Sequence, residues 1–234
     1  MVSDRGSTRP WPRAIVFDLD GTLVDSAPDI RLAINAAFAP LGVAPFDVET
    51  VKGFIGGGAA MAIARASASV GLTLGPSETA AALERFYPVY AEASGAGRGL
   101  FPGAIELLER LHASGLPLGL CTNKAQPITD IALKALGIRP YFSAVVGARD
   151  ELPKKPDPTM LLTVLDGLGV SPAHALMVGD SGADIGSAKA AGCHSVAIRH
   201  GYSRQPVEEL GASAVIATLA ELPAAIARLA NAHS

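Results

Sequence analysis

Four consecutive apolar residues, Ala14, Ile15, Val16 and Phe17, stand between polar positions near the start of the chain. A run so short and so rich in β-branched and aromatic side chains predicts a strand buried on both faces. Runs of the same kind recur at 118–121, 144–146, 175–178, 196–198 and 214–216. Between them the apolar positions are spaced three and four apart, which predicts helices. The stretch 104–112 presents Ile105, Leu108, Leu111 and His112, and 127–136 presents Ile128, Ile131, Ala132 and Ala135. Likewise 158–168 presents Leu161, Leu162, Leu165 and Leu168. Alternating strands and helices predict parallel βαβ units, hence an α/β fold: a Rossmann-like parallel sheet with helices on both faces.

One stretch breaks this rhythm. From Ser26 to about Gly99 no strand pattern occurs. Ile30, Ile34, Ala37, Phe38 and Leu41 form one helical stripe, and Leu83, Phe86, Tyr87 and Tyr90 form another, with Pro88 expected to kink it. The Ala-rich stretch 59–70 is a third candidate helix. An all-helical block is therefore expected within residues 26–99, inserted after the first strand, and the Gly-rich segment 94–99 reads as its hinge. Residues 13–25 and 100–234 then form the α/β core. Residues 1–12 read as a loose tail without the apolar stretch of a secretory signal, and Trp11 is expected to pack back on the core. No internal repeat is visible.

Composition narrows the field. The chain has 234 residues, of which 49% are hydrophobic, and its mean hydropathy is +0.33; disorder needs the opposite balance. No apolar run reaches the roughly 18 residues a membrane span requires. The formal charge is −3 with no basic run, so a nucleic-acid partner is not expected. Cys121 and Cys193 make no disulfide framework and no metal-type pair, and a reducing cytoplasm is the simplest setting. The five histidines show no metal-ligand spacing, and His200 is expected to play a surface role.

The candidate chemistry sits where strands end. The first strand runs into Asp18, Leu19, Asp20, Gly21 and Thr22. Two carboxylates two positions apart at a strand end face the same side, and in open α/β sheets that carboxyl edge is where ligands bind. The second strand leads into Thr122, Asn123 and Lys124. The third leads, after a loop, into Lys154, Lys155, Pro156, Asp157 and Pro158. The fourth leads into Gly179, Asp180 and Ser181, with Asp184 four positions after Asp180. Each cluster alone is compatible with a helix cap, a turn or a solvated face; four at successive strand ends point to one site. Together they suit phosphoryl transfer. A carboxylate can act as a covalent nucleophile, a second can move the proton, lysine offsets phosphate charge, and Mg²⁺ takes oxygen ligands such as Asp18 and Asp180.

The segment Phe17, Asp18, Leu19, Asp20, Gly21, Thr22, Leu23, Val24, Asp25, Ser26 resembles the opening motif of the haloacid dehalogenase superfamily of phosphatases. Thr122, Lys155 with Pro156, and Gly179 through Asp184 are similar to its other three motifs, in order. The likeness covers nearly the whole chain from Arg13, and within the superfamily it runs to bacterial phosphoglycolate phosphatases through 116–124, 154–156, 179–193 and the Gly201-Tyr202 pair. The resemblance implies that Asp18 is the nucleophile and a Mg²⁺ ligand. It implies that Asp20 is general acid and base, with its backbone carbonyl on the metal. Thr122 and the Asn123 amide would hold phosphate, Lys155 would neutralise charge, and Asp180 would bind Mg²⁺. Asp184 and Ser181 would support the metal or Lys155 from behind. Lys155 is chosen over Lys154 because the family lysine directly precedes proline.

The same resemblance makes the helical insertion a mobile cap, with Gly56, Gly57 and Gly58 in its specificity loop. Many relatives carry a polar residue where Gly57 stands, so that contact is missing or made by backbone. Arg65 is a candidate partner for a substrate carboxylate, against the plainer reading of a solvated arginine on an Ala-rich helix. Asp20 argues against a dehalogenase, which lacks it. Lys52, the lone lysine of the insertion, reads as an exposed helix-end residue rather than a Schiff-base lysine. A pyrophosphatase, a sugar-phosphate phosphatase, a β-phosphoglucomutase-type enzyme and a non-enzymatic binding module are the alternatives. The expected enzyme is cytoplasmic, a monomer or homodimer, and acts on a small phosphate monoester such as 2-phosphoglycolate.

Overall fold

The computed structural model describes residues 10–231; residues 1–9 of the expected tail, and His233, lie outside them. Strands β1 (Ala14–Phe17), β2 (Leu118–Ala125), β3 (Ala144–Ala148), β4 (Ala175–Gly179), β5 (His194–Ile198) and β6 (Ala214–Ile216) form one sheet in the order β3-β2-β1-β4-β5-β6. All neighbours pair in parallel, with Phe17 of β1 opposite Leu120 of β2 and Val178 of β4. The chain builds outward from β1 to β3, then crosses to β4 on the other side of β1. That reversal opens a crevice at the carboxyl ends of the central strands.

Helices α1 (Ala27–Phe38), α2 (Val48–Lys52), α3 (Ala59–Ser69) and α4 (Pro76–Ser94) follow β1. Helices α5 (Ala104–Ala113), α6 (Gln126–Ala135), α7 (Thr159–Leu168), α8 (Gly182–Ala191) and α9 (Leu222–Asn231) are interspersed among and after the later strands. Alternation along β1 divides the core. Ile15 and Phe17 pack with Leu108 of α5, Leu133 of α6 and Leu222 of α9. Val16 packs on the other face with Leu161 and Val164 of α7 and Ala188 of α8. Helices on both faces leave β1 with no exposed residue, which is why its sequence is apolar throughout.

The expected stripes are rotated slightly. Leu107 and Leu133 are buried, whereas His112 lies outside against Tyr141, and Ile131, Leu162 and Leu41 are exposed. In each case the spacing marks the helix, but the neighbouring element selects which side of the stripe is covered. Helix α4 continues as one helix across Pro88. Trp11 packs against the sheet core and meets the His194 ring edge-on at 5.3 Å.

Helices α1 to α4 share their own apolar cluster, built on Ile34, Phe38, Phe46, Val51, Ile63 and Phe86, and Ile128 and Tyr202 join it from the sheet side. Phe38, Phe46 and Phe54 stack edge-to-face in sequence at 5.8 and 5.4 Å. The short α2 starts because Asp47 caps it, its Oδ1 accepting from the Thr50 N–H at 2.7 Å. The two chain crossings between this cluster and the sheet lie side by side. Asp25 N–H donates to the Gly99 carbonyl at 2.6 Å, and Phe101 N–H donates to the Leu23 carbonyl at 2.9 Å. Gly99 has φ +91°, and a Cβ there would stand 2.7 Å from the Asp25 carbonyl oxygen. Among the described residues no helix is long and apolar enough to cross a membrane.

Candidate active site

The carboxyl end of β1 is held over the crevice by a tight turn. The Asp18 N–H donates to Val178 O of β4 at 2.9 Å, and Gly21 N–H donates to the Val24 carbonyl at 2.8 Å. Gly21 has φ +87°, and a Cβ there would come within 2.5 Å of the Asp180 carboxylate. Only glycine lets the turn pass so close to a carboxylate. Asp18 and Asp180 thereby face each other across the switch point.

Lys155, from the loop between β3 and α7, reaches into this cluster and is 4% exposed. Its ammonium donates to Asp18 Oδ1 at 2.9 Å, to Asp184 Oδ1 at 2.5 Å and to the Cys121 carbonyl at 2.6 Å. All three of its donors are thus engaged. Burial opposes the charge on Lys155, but Asp18 and Asp184 outweigh it and raise its pKa above the ordinary lysine value. Asp184 Oδ2 accepts from the Ser181 N–H at 3.0 Å and the Ser181 hydroxyl at 2.6 Å, a box that starts α8.

Asp180 is held by Thr22 and Tyr202. The Thr22 hydroxyl donates to its Oδ1 at 3.1 Å and the Tyr202 N–H to its Oδ2 at 2.7 Å. Oxygens of Asp18, Asp180 and Asp184 lie within 4.8 Å of one another, all buried. Burial raises the Asp18 pKa to about 7 against the pull of the Lys155 ammonium, with the Asp184 charge adding a smaller push in the same direction as burial. Asp180 is pushed well above the usual carboxylate range by burial, then by Asp184 and Asp18, against the pull of Tyr202 and Thr22. Three carboxylates facing one lysine leave excess negative charge. Hard oxygen donors with that excess fit a hard cation, so these residues could hold a metal ion.

Asp20 lies apart from this cluster. Its Oδ1 accepts from the Lys124 ammonium at 3.1 Å, so its carboxylate faces the helical insertion. The structure extends β2 through Thr122, Asn123 and Lys124 rather than ending it before them, with a register shift between Cys121 and Ala125. Thr122 Oγ1 accepts from the Lys124 N–H at 3.3 Å, and its own hydroxyl proton is claimed by no described residue. The Asn123 side chain is fully engaged. Its Nδ2 donates to the Gly56 and Lys155 carbonyls at 3.1 and 3.0 Å, and its Oδ1 accepts from Lys155 N–H at 3.0 Å.

Over these groups the insertion closes a cavity of ≈ 50 Å³. Asp18, Asp20, Thr122, Asn123, Lys124 and Lys155 line it from the sheet side, and Ile30, Ile55, Ala59, Ala62, Phe86 and Tyr90 from the insertion. Gly56 and Gly58 lie on its wall; Gly57 does not, and a Cβ there would meet the Met61 side chain at 2.7 Å. Arg65 is outside this cavity. Its Nη1 donates to the Phe54 and Ile55 carbonyls at 3.0 and 2.7 Å, so it braces the glycine loop from behind. Lys52 pairs with Glu49 at 2.8 Å at the end of α2, far from a buried amine.

Other residues were not assigned a place here by their sequence pattern. Lys124 stands in the polar cluster after Cys121, but residue type alone does not show that its ammonium reaches Asp20 and Tyr90. His200 is not a free surface group: it is half-buried, stacks on Phe101 at 3.9 Å and donates from Nε2 to the Thr22 carbonyl at 3.1 Å. Burial lowers its pKa. The Tyr202 hydroxyl donates to Asp25 Oδ1 at 2.5 Å and accepts from the Ala27 N–H at 3.1 Å. The Gly201-Tyr202 pair was the signal available for it. Cys121 and Cys193 are both buried, and burial pushes each thiol up to about 12, which leaves them inert as nucleophiles.

A parallel sheet with carboxylates and a buried lysine at its switch point, beneath a helical insertion, defines a class of hydrolases built for anionic substrates. Residues 15–198 match the haloacid dehalogenase-like hydrolase family, and the chain belongs to it. A phosphoglycolate phosphatase of Rhodospirillum rubrum is 44% identical over 215 residues, covering 90% of this chain and 89% of that one. The crystal structure of a predicted phosphoglycolate phosphatase from Haemophilus somnus is similar, with a TM-score of 0.84 at 31% identity, over 94% and 99% of the two chains. CbbY of Rhodobacter sphaeroides, solved in complex with phosphate, is similar with a TM-score of 0.77 at 28% identity, over 90% and 96%.

Proposed function

We propose that this protein is a Mg²⁺-dependent phosphatase that hydrolyses 2-phosphoglycolate to glycolate and inorganic phosphate. The observation that carries the reading is that Asp18, paired with the buried Lys155, and Asp20, paired with Lys124, open onto one small cavity. The names of the relatives support the substrate.

In this reading an Asp18 carboxylate oxygen attacks phosphorus and forms a phosphoaspartate. As the ester P–O bond breaks, Asp20 gives its proton to the leaving oxygen; it then takes a proton from the water that attacks phosphorus and releases Asp18. Lys155 holds Asp18 in place and offsets phosphate charge, with Asp184 fixing its ammonium and Ser181 fixing Asp184. The free Thr122 hydroxyl proton and the Asn123 backbone N–H bind phosphate oxygens, since the Asn123 side chain is spent on backbone groups. Asp18, Asp180 and the Asp20 carbonyl would hold Mg²⁺, which when bound supplies charge neutralisation to the phosphoryl oxygens. Residues 26–99 act as a cap over the core of 13–25 and 100–234, hinged at 94–99, and exclude water when closed. Gly56 and Gly58 contribute backbone to the pocket wall. The same reading takes the enzyme to be cytoplasmic, a monomer or homodimer, with a small phosphorylated molecule and no nucleic acid as its partner.

The test is Mg²⁺-dependent phosphate release from 2-phosphoglycolate, pyrophosphate, glucose phosphates and an aryl phosphate. A clear lead in kcat/KM for 2-phosphoglycolate is expected; a flat profile removes the named substrate, and no release from any removes the phosphatase. Asp18→Asn is expected to abolish turnover while its circular dichroism stays that of the parent. Substantial turnover by the folded variant would falsify the covalent route.

A further inference from the structure

We propose that Lys124, seated against Tyr90 of the insertion, is the receptor for the carboxylate of the substrate and so sets specificity for carboxylate-bearing phosphate esters. The proposal rests on the phosphatase reading above and names which residue recognises the part of the substrate that is not phosphate.

Lys124 is nearly fully buried, its side chain 2% exposed, yet it lines the cavity. Its ammonium donates to Asp20 Oδ1 at 3.1 Å and to the Tyr90 hydroxyl, and it lies 4.0 Å from the centre of the Tyr90 ring. An ammonium has three donors; two are engaged within the described residues, and one is left on a cation that faces a ligand cavity. Tyr90 cannot share the role as an anion. Burial, with the Asp20 and Asp29 charges beside it, pushes its phenol well above the ordinary value, so it stays a neutral hydroxyl beneath the ammonium.

The charge of the pocket singles out this lysine. The cavity has two cations on its wall, Lys155 and Lys124. Lys155 has all its donors on Asp18, Asp184 and the Cys121 carbonyl. The insertion side of the wall offers Ile30, Ile55, Ala59, Ala62 and Phe86 and no charged residue, and Asp29 of α1, the one insertion carboxylate that interacts electrostatically with Lys124, is not on the wall. A carboxylate carried into that apolar half unpaired would meet a large desolvation cost, and Lys124 is the cation there to offset it.

Position supports the same assignment. Asp20 serves the ester oxygen, and Lys124 is one hydrogen bond from Asp20. In a 2-phosphoglycolate the carboxylate carbon is two bonds from that oxygen. A cation adjacent to the acid therefore stands where the carboxylate of a short α-phosphoryloxy acid lies. Because Tyr90 comes from α4 and Lys124 from β2, the receptor is complete only with the insertion in contact with the sheet.

The experiment compares kcat/KM for 2-phosphoglycolate with that for ethyl phosphate, which has the same ester and no carboxylate. Wild type, K124M, K124Q, K124R and Y90F are measured, with inhibition constants for glycolate and for inorganic phosphate. In K124M and K124Q the preference for 2-phosphoglycolate over ethyl phosphate is expected to fall by about a hundred-fold, the scale for truncating one partner of a buried charge pair. The loss should appear chiefly in KM, with glycolate inhibition weakened more than phosphate inhibition. K124R keeps the charge and should restore part of the preference. Y90F keeps the ring and should cost less. Equal losses on both esters, or glycolate inhibition no more affected than that by phosphate, would show that Lys124 merely orients Asp20, and overturn the proposal. A wild-type enzyme that does not prefer 2-phosphoglycolate overturns the substrate reading instead, and glycolate inhibition of K124M then decides the role of Lys124 by itself.

Discussion

The centre of the site is one ammonium shared by two carboxylates. Lys155 lies 2.9 Å from Asp18 and 2.5 Å from Asp184, and a third carboxylate, Asp180, closes the group. Fixed donors offset part of the cost of such a cluster: Thr22 and Tyr202 meet Asp180, and Ser181 meets Asp184. Thr22→Val removes one such donor at nearly constant volume. We expect metal affinity to weaken about 10- to 100-fold, read by isothermal titration with Mg²⁺. Gly21→Ala forces a side chain into a φ of +87° and toward the Asp180 carboxylate. The strain should cost at least about 1–3 kcal/mol, seen as a lower urea midpoint together with lost activity. At this scale the sequence singled out Asp18, Asp20 and Asp180 as carboxylates at the ends of apolar strands, and Lys155 and Asp184 through the likeness to the family's motifs. It placed Lys124 in the cluster after the second strand without a role, because its partners Asp20 and Tyr90 are remote in the chain.

Between elements, the loop after β5 decides how the insertion sits on the sheet. Tyr202 is buried among the apolar residues of the helical cluster, while its hydroxyl bridges Asp25 and the first N–H of α1. Its phenol is held well above the usual value by burial and by its hydrogen bond to Asp25, so it remains a donor. Tyr202→Phe leaves a half-buried Asp25 and a buried N–H unsatisfied. The expected loss is about 1–3 kcal/mol, measured by chemical unfolding, and unchanged stability would remove Tyr202 as a brace of the crossing. Arg65 performs a similar service within the insertion by bonding the carbonyls just before the glycine loop. Arg65→Ala is expected to raise KM for every phosphate ester alike, because a loosened loop carries no preference among them; a loss confined to carboxylate-bearing esters would return Arg65 to the role of substrate contact. Periodicity located these helices well, yet Ile131 and Leu162 came out exposed where a stripe suggested burial. Spacing marks a helix, but the element that packs on it chooses the face.

Across the whole molecule, the concentration of negative charge at the switch point links folding to metal binding. A cation that binds only the folded state stabilises it by mass action, by about 2.7 kcal/mol at a hundred times its Kd. Chelation should therefore lower Tm and Mg²⁺ should restore it, by differential scanning calorimetry, whereas Asp180→Asn should blunt the response; a Tm indifferent to both would show that the acidic cluster holds no metal. Ca²⁺ should bind the same oxygens and still inhibit, since its looser and larger coordination misplaces nucleophile and phosphate. Turnover with Ca²⁺ equal to that with Mg²⁺ would contradict this. The sequence by itself determined the strands, the alternation that makes their sheet parallel, the place of the helical insertion and the polar residues at strand ends, since all of these are written in short-range periodicity and in residue type. Only the tertiary structure decided the strand order, the sharing of Lys155 between Asp18 and Asp184, the engagement of Asn123 and Arg65 with backbone, and the meeting of Lys124 with Tyr90. Those contacts join residues remote in the chain, and their geometry is set by how helices pack on a twisted sheet, which no local pattern encodes.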